Sequence, residues 1–516
     1  MAKPLVALSN GRLEATVENA DGTRTFRWVQ DTPVPNYLLT VDVGAFTKVP
    51  LAAAHLPGRD LPLSVWGEAG SESALALTFG KTPEMVEFFS QRFGYAYLKG
   101  ALVLHMLRRI VGDEDFYRTL AWYLHRNEFR SVESSDLLAA FKATTGRNLT
   151  WFFDDWIVGG GGHPSFEVSY QWVPERKQVD LTVKQVQADL TFENAFRLPM
   201  EVEIVTAAGT KTHTIEVDGW TTHLALPADS KPLAVVFDKG GWLVADVRFD
   251  RSLDEWLYQL AHGGLAEQLR AARQLGQEFR HRREAVSALV DELADKNAHW
   301  GLRQEAARGL GLIGDESAAK ALIGALRDPD RRVRRGVAVA LAGGAGGRET
   351  DEALKAAVTG DPAEDVVAAT AASLGKRQAS GAREFLAAQV ERGSRWWDVI
   401  RAGALTGLSE FEDASMVATF ARHVDATENI DVRLAALKGW ARAAPEDRAL
   451  AGRLRDFTRD PNRSMQLAVI DLLAGLHRSE DAGFFRDLSG HPDAGISQAA
   501  RDAAEAIEAF KVRSQP

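Results

Sequence analysis

Chemistry needs donors at fixed spacing, so the twelve histidines come first. A zinc metallopeptidase helix carries two imidazoles four residues apart with a general-base Glu between them, and a third ligand further on. Among His55, His105, His125, His163, His213, His223, His262, His281, His299, His423, His477 and His491, no two are four apart. The chain has no cysteine, which removes thiolate metal sites, iron–sulfur clusters, disulfides and a cysteine nucleophile together. Gly80-Lys81-Thr82 invites a phosphate-loop reading, but the glycine required five positions before Gly80 is Leu75. Gly159 to Gly162 follows a helical pattern rather than opening one, so it reads as a loop and not a dinucleotide site. His105, inside Leu102-Val103-Leu104-His105-Met106-Leu107, reads as a core or boundary histidine. Asp154-Asp155 reads as a solvated helix end.

The elements that would hold such residues change along the chain. Up to about residue 79, short apolar–polar alternation such as Tyr37-Leu38-Leu39-Thr40-Val41-Asp42-Val43 predicts β-strands. Thr82-Pro83-Glu84 is a helix start, and helices are expected to run to about Trp156, where Gly159 to Pro164 stops them. Strand patterns resume from Phe166 to Phe237 in five runs, as expected for a small β-sandwich.

The second half is a repeat array. Nine-residue helical cores begin at Leu302, Val333, Val366, Ile400, Val432, Met465 and Ile496, at offsets of 31, 33, 34, 32, 33 and 31. Asp328-Pro329, Asp361-Pro362, Asp460-Pro461 and His491-Pro492 stand just upstream of cores, where Pro ends one helix and Asp helps start the next. That period predicts an α-solenoid of paired helices, similar to short HEAT-like repeats, whose seven cores pack side by side. The organisation expected is thus multidomain α+β, with segments 1–79, 80–162, 163–250 and 251–516.

With 61 basic and 71 acidic residues the net charge is -10, and the basic residues are interspersed, which argues against a nucleic-acid footprint. No apolar run is long enough to span a membrane, so the chain as written reads as soluble, cytoplasmic by default. A peptide or protein partner on the solenoid is the expected interaction.

Asn36 to Gly44 with Thr78 to Phe89, Tyr97-Leu98-Lys99-Gly100-Ala101, Trp151-Phe152-Phe153-Asp154-Asp155-Trp156, and Val235-Val236-Phe237-Asp238 form a set of strings. Together they resemble the aminopeptidase N family of gluzincin-type zinc peptidases. The resemblance implies a β-domain remnant at the N-terminus, a helical remnant of a thermolysin-like catalytic domain, a β-sandwich and a helical C-terminal domain. It also implies that Tyr97 occupies the place of the family's transition-state tyrosine. In the family a long segment between the strings matching Thr82–Gly94 and Tyr97 carries Gly-x-Met-Glu-Asn, His-Glu-x-x-His and the downstream zinc-ligand Glu. Here Tyr95 and Ala96 alone separate them. The expectation is therefore a chain shortened internally and at its start, with Tyr97 orphaned, no zinc and a silent site. The alternative is a zinc metallo-aminopeptidase releasing N-terminal residues from peptides, if that segment belongs to the natural protein. In the shortened chain, apolar residues between Pro83 and Trp156, among them Leu107, Phe116, Trp122 and Phe152, which in the family pack partly against the absent lobe, would have to find new cover.

Overall fold

The computed structural model describes residues 5–9, 12–29, 40–51, 54–56, 59–61, 63–68, 70–79, 82, 102–128, 130–158, 163–187, 195–343, 346–392 and 398–513. The chain divides into two compact units, Met1–Asp250 and Arg251–Pro516.

The first unit begins with eight short strands, β1 (Val6–Ser9), β2 (Arg12–Glu18), β3 (Arg24–Val29), β4 (Val41–Gly44), β5 (Phe46–Pro50), β6 (Ala54–Leu56), β7 (Arg59–Leu61) and β8 (Ser64–Glu68). Among the described residues they form antiparallel pairs β1–β4, β2–β3, β5–β8 and β6–β7 rather than one sheet. The strand reading ends too late: Glu72–Phe79 is a helix, α1. Its Ala and Leu content favours helix, and Gly70 N–H donates to Glu72 Oε1 at 3.1 Å to open it. The helix expected from Thr82 falls on residues 83–100, outside those described.

Four helices follow: α2 (Leu102–Val111), α3 (Asp113–Arg126), α4 (Ser134–Thr145) and α5 (Thr150–Phe153), the last continuing as one π-turn through Val158. Met106, Leu107, Val111, Phe116, Phe141, Leu149, Phe152 and Phe153 form their common core, covered in part by Leu243 and Val244. Leu107, Phe116 and Phe152 are thus buried, while Trp122 stays 38% exposed.

The β-sandwich has two strands beyond the five foreseen. One sheet orders as Thr221–Pro227 (β13), Gln178–Gln185 (β10), Ser165–Val173 (β9) and Asp246–Phe249 (β15); the other as Gly209–Val217 (β12), Leu198–Thr206 (β11) and Pro232–Phe237 (β14). Pairing is antiparallel except between β15 and β9. Strict alternation makes the core: Val179, Leu181 and Val183 from β10 face Leu198, Met200, Val202 and Ile204 from β11.

The second unit is helical: α6 (Leu253–His262), α7 (Leu265–Glu278), α8 (Arg283–Ala294), α9 (Trp300–Ile313), α10 (Glu316–Ala325), α11 (Arg331–Leu341), α12 (Gly347–Gly360), α13 (Glu364–Lys376), α14 (Ala382–Val390), α15 (Val399–Ser409), α16 (Val417–Arg422), α17 (Ile430–Ala443), α18 (Arg448–Phe457), α19 (Arg463–Gly475), α20 (Asp481–Leu488) and α21 (Ala494–Arg513). The seven cores lie on α9, α11, α13, α15, α17, α19 and α21, and each of these helices packs against the next in sequence order. This is the solenoid the 31-to-34 offsets predict. Small residues let the backbones approach: a Cβ on Gly375 would lie 2.0 Å from the Gly407 carbonyl oxygen. Among the described residues no helix is long and apolar enough to cross a membrane.

Candidate functional site

Tyr97 lies outside the described residues, as do Gly80 and Gly159 to Gly162. The nearest described element is α2, and its two faces behave differently. One face buries Met106, Leu107 and Val111 against α3 and α4. The other presents His105 and Arg109, which are four residues apart and therefore share a side of the helix.

Both meet Trp242. The His105 ring stacks on the indole with centroids 4.5 Å apart and planes 22° apart. The Arg109 guanidinium sits 5.3 Å from the same ring and pairs with Glu201 on β11. His105 is thus no core residue; it is exposed and leans on an aromatic partner from the sandwich.

The loop after β14 aims that indole. Asp238, buried and at φ 57°, accepts the Trp242 N–H at 2.9 Å through Oδ1, and Lys239 N–H donates to the Glu201 carbonyl at 3.2 Å. Gly240, at φ 87°, is required, since a Cβ there would lie 2.3 Å from Trp242 Nε1. Lys239 Nζ pairs with Glu203 Oε1 at 2.8 Å. Trp242, Asp238 and Arg109 escape sequence reading, because only the folded loop brings them together. The visible signal is the turn string Asp238-Lys239-Gly240-Gly241 followed by Trp242.

Between α2, β11 and this loop lies a groove of about 200 Å³. Met106, Leu198, Met200 and Leu243 give it an apolar floor, and the paired Arg109 and Glu201 stand among its lining residues. Such a groove can seat an apolar side chain. No Ser, Cys or His stands among its described lining residues, and no group of three His, Asp or Glu side chains among the described residues could hold a metal ion. The described residues do not fit zinc.

Asp154 is exposed, but Asp155 is not a free helix end: its Oδ2 accepts the Arg197 N–H at 3.1 Å, and Trp156 Nε1 donates to the Arg197 carbonyl at 3.4 Å. These bonds tie the π-turn to the approach of β11.

In the solenoid, polar chemistry repeats. Arg303 pairs with Asp328 at 3.0 Å, Arg334 with Asp361 at 2.7 Å, Arg401 with Glu428 at 3.1 Å and Arg433 with Asp460 at 2.6 Å. Each Arg is the second residue of a core and each acid precedes the next core; in the third core Val367 replaces the Arg. The Asp of Asp-Pro stands two residues before the helix cap: Asp328 Oδ1 accepts the Asp330 N–H and Asp460 Oδ1 the Asn462 N–H, both at 2.8 Å. Asp330 and Asn462 are the caps themselves. Burial pushes the Asp328 carboxyl upward, but hydrogen bonds from Lys296, the Asp330 N–H and Arg303 outweigh it and hold it below the usual carboxylate range. Asp460 is lowered in the same way by Arg433 and the Asn462 N–H against the opposing effect of burial.

Residues 68–156 match the Peptidase family M1 domain, and residues 253–342 match HEAT repeats. Aminopeptidase N of Streptomyces lividans is 38% identical over 68 residues, 13% of this chain and 8% of that protein. Tricorn protease-interacting factor F2 of Thermoplasma volcanium is 27% identical over 165 residues, 31% of this chain and 20% of that protein. Transcription initiation factor TFIID subunit 2 of Caenorhabditis elegans is 27% identical over 151 residues, 26% of this chain and 13% of that protein. The chain thus spans a fifth or less of the length of these relatives. The solved Legionella pneumophila aminopeptidase A, in complex with aspartic acid, superposes with a TM-score of 0.57 at 14% identity, covering 97% of this chain and 77% of that one. That likeness is one of fold.

Proposed function

Taking the chain's relationship to the M1 aminopeptidases as premise, we propose that this polypeptide is a catalytically silent member that works as a binding scaffold. Its solenoid takes a peptide or protein partner. One observation carries the reading: the strings flanking the family's zinc-binding segment, Thr82–Gly94 and Tyr97, are separated by two residues, and His-Glu-x-x-His occurs nowhere in the 516 residues. A tyrosine at position 97 without a metal or general base cannot polarise a peptide carbonyl and activate water. The four-segment organisation 1–79, 80–162, 163–250 and 251–516 belongs to the same proposal, as do the absence of a cofactor and a cytoplasmic location. The match to a transcription-factor subunit, a relative whose name is not that of a peptidase, supports a binding role.

The retained Tyr97 string supports the second reading, a zinc metallo-aminopeptidase acting on peptide N-termini if the segment with the metal motifs belongs to the natural protein. Metal analysis and an aminoacyl arylamide assay separate the two. The scaffold reading expects no zinc per chain and no hydrolysis. Stoichiometric zinc with chelator-sensitive hydrolysis overturns it, and a rate lost in Tyr97→Phe would then give that tyrosine its family role.

A further inference from the structure

We infer that the exposed stripe shared by α9 and α11 is the solenoid's docking face for an acidic, apolar-punctuated peptide segment. The inference rests on the scaffold reading and says where on the solenoid a partner sits and what its chemistry is.

The stripe is built by parallel register. Arg332 of α11 lies with its guanidinium 4.0 Å from the ring centroid of Trp300 of α9. One turn on, a Cβ at Gly336 would lie 2.6 Å from the Gln304 side chain. Both pairs are 32 apart in sequence, so the helices run parallel and side by side, and further along a Cβ at Gly311 would lie 2.8 Å from the Ala340 carbonyl oxygen. On α9 the ridge Trp300, Gln304, Arg308 and Leu312 advances by four residues at each step, and on α11 Arg331, Arg335 and Val339 do the same.

Three chemistries follow one another along this face. At one end Arg332 is held on Trp300 and by Asp330, so its guanidinium is presented without much rotamer freedom left to lose. In the middle Arg335 is exposed and has no ion pair among the described residues. Arg308, exposed on α9, shares the single carboxylate of Glu305 with Arg273. At the other end Leu312 and Val339 are 48% and 58% exposed, two apolar side chains on neighbouring helices with no cover. Of the four arginines between 331 and 335, Arg331 pairs with Asp365, Arg332 with Asp330 and the largely buried Arg334 with Asp361. The unbalanced charge on this face therefore comes from Arg335, and from Arg308 and Arg273 sharing Glu305, in a chain whose net charge is -10. A local excess of guanidinium against an acidic whole selects an acidic partner, and the apolar end requires that partner to carry Leu-like side chains as well. Nucleic acid would satisfy the arginines but not Leu312 and Val339.

The test uses the full chain and a peptide of about sixteen residues with Glu at most positions and Leu at every third or fourth, a free N-terminus and a C-terminal fluorophore, read by anisotropy. Arg335→Glu should weaken binding about tenfold, and Leu312→Gln with Val339→Gln about fivefold. Arg459→Glu, the same charge change at an exposed arginine beyond α18, should leave it within about twofold. All four sites are exposed, and circular dichroism checks that each variant is folded. No binding, binding that survives Arg335→Glu, equal loss with Arg459→Glu, or tighter binding of a single-stranded oligonucleotide overturns the assignment of this face. Chelator-sensitive removal of N-terminal residues from the probe, seen by mass spectrometry, is a separate result and overturns the scaffold reading beneath it.

Discussion

His105 lies flat against Trp242, 4.5 Å between ring centroids and 22° between planes, although the two are 137 positions apart in the sequence. With Arg109 on the same indole and paired to Glu201, this contact holds α2 to the β-sandwich. A double-mutant cycle of His105→Ala and Trp242→Ala should return a coupling of about 0.5–1.5 kcal/mol, the usual worth of an aromatic pair beyond area burial. Additive losses would mean the rings touch without stabilising.

Arg433 and Asp460 pair at 2.6 Å with both side chains buried. Asp460→Ala strands a guanidinium inside the solenoid and should cost about 3–5 kcal/mol in urea unfolding. An exposed control, Asp431→Ala, should cost much less.

Acid should act on the same rungs. Arg332, through its hydrogen bond, holds Asp330 down at about 2, against about 3.9 in an unfolded chain. Asp328 and Asp460 are also lowered. A lowered folded value means the folded state resists protonation. The stabilisation is therefore complete above about pH 3.9 and is lost as pH falls from there through about 2. The urea midpoint of the helical signal should drop below about pH 4, and Asp328→Asn should flatten that drop. A midpoint unchanged down to pH 2.5 would contradict this.

Gly375 meets the backbone of Gly407, so Gly375→Leu must force α13 and α15 apart. A loss of about 1–3 kcal/mol or more is expected by thermal melting, since backbone cannot step aside as a flexible side chain can. Gly324→Leu, whose Cβ meets nothing within 4 Å, is the matched control.

Hydrogen exchange should rank the parts. The α2 to α5 helices share one small core, whereas the solenoid core runs unbroken from Leu253 to Ile507. Amides in residues 102–156 should be at least about tenfold less protected than those in 302–504, roughly 1.4 kcal/mol in opening free energy. Equal protection in a monomer would show that the short helical segment has a complete core of its own.

What the sequence determined by itself is what depends on neighbours along the chain. The seven cores at offsets of 31 to 34 each became a helix packed on the next, because a solenoid repeat buries its face only against adjacent repeats. Strand alternation in Met200 to Ile204 placed Met200, Val202 and Ile204 inward for the same local reason. What tertiary structure decided is where distant pieces meet. Nothing in the string Asp238-Lys239-Gly240-Gly241-Trp242 announces that its indole will receive His105 and Arg109, because that contact depends on how α2 docks against β11 and the loop after β14. The Arg of each rung and its acid were both visible, but not as a pair. Their separation of 25 to 27 residues becomes contact only when an intervening helix doubles the chain back, and that return is a property of packing.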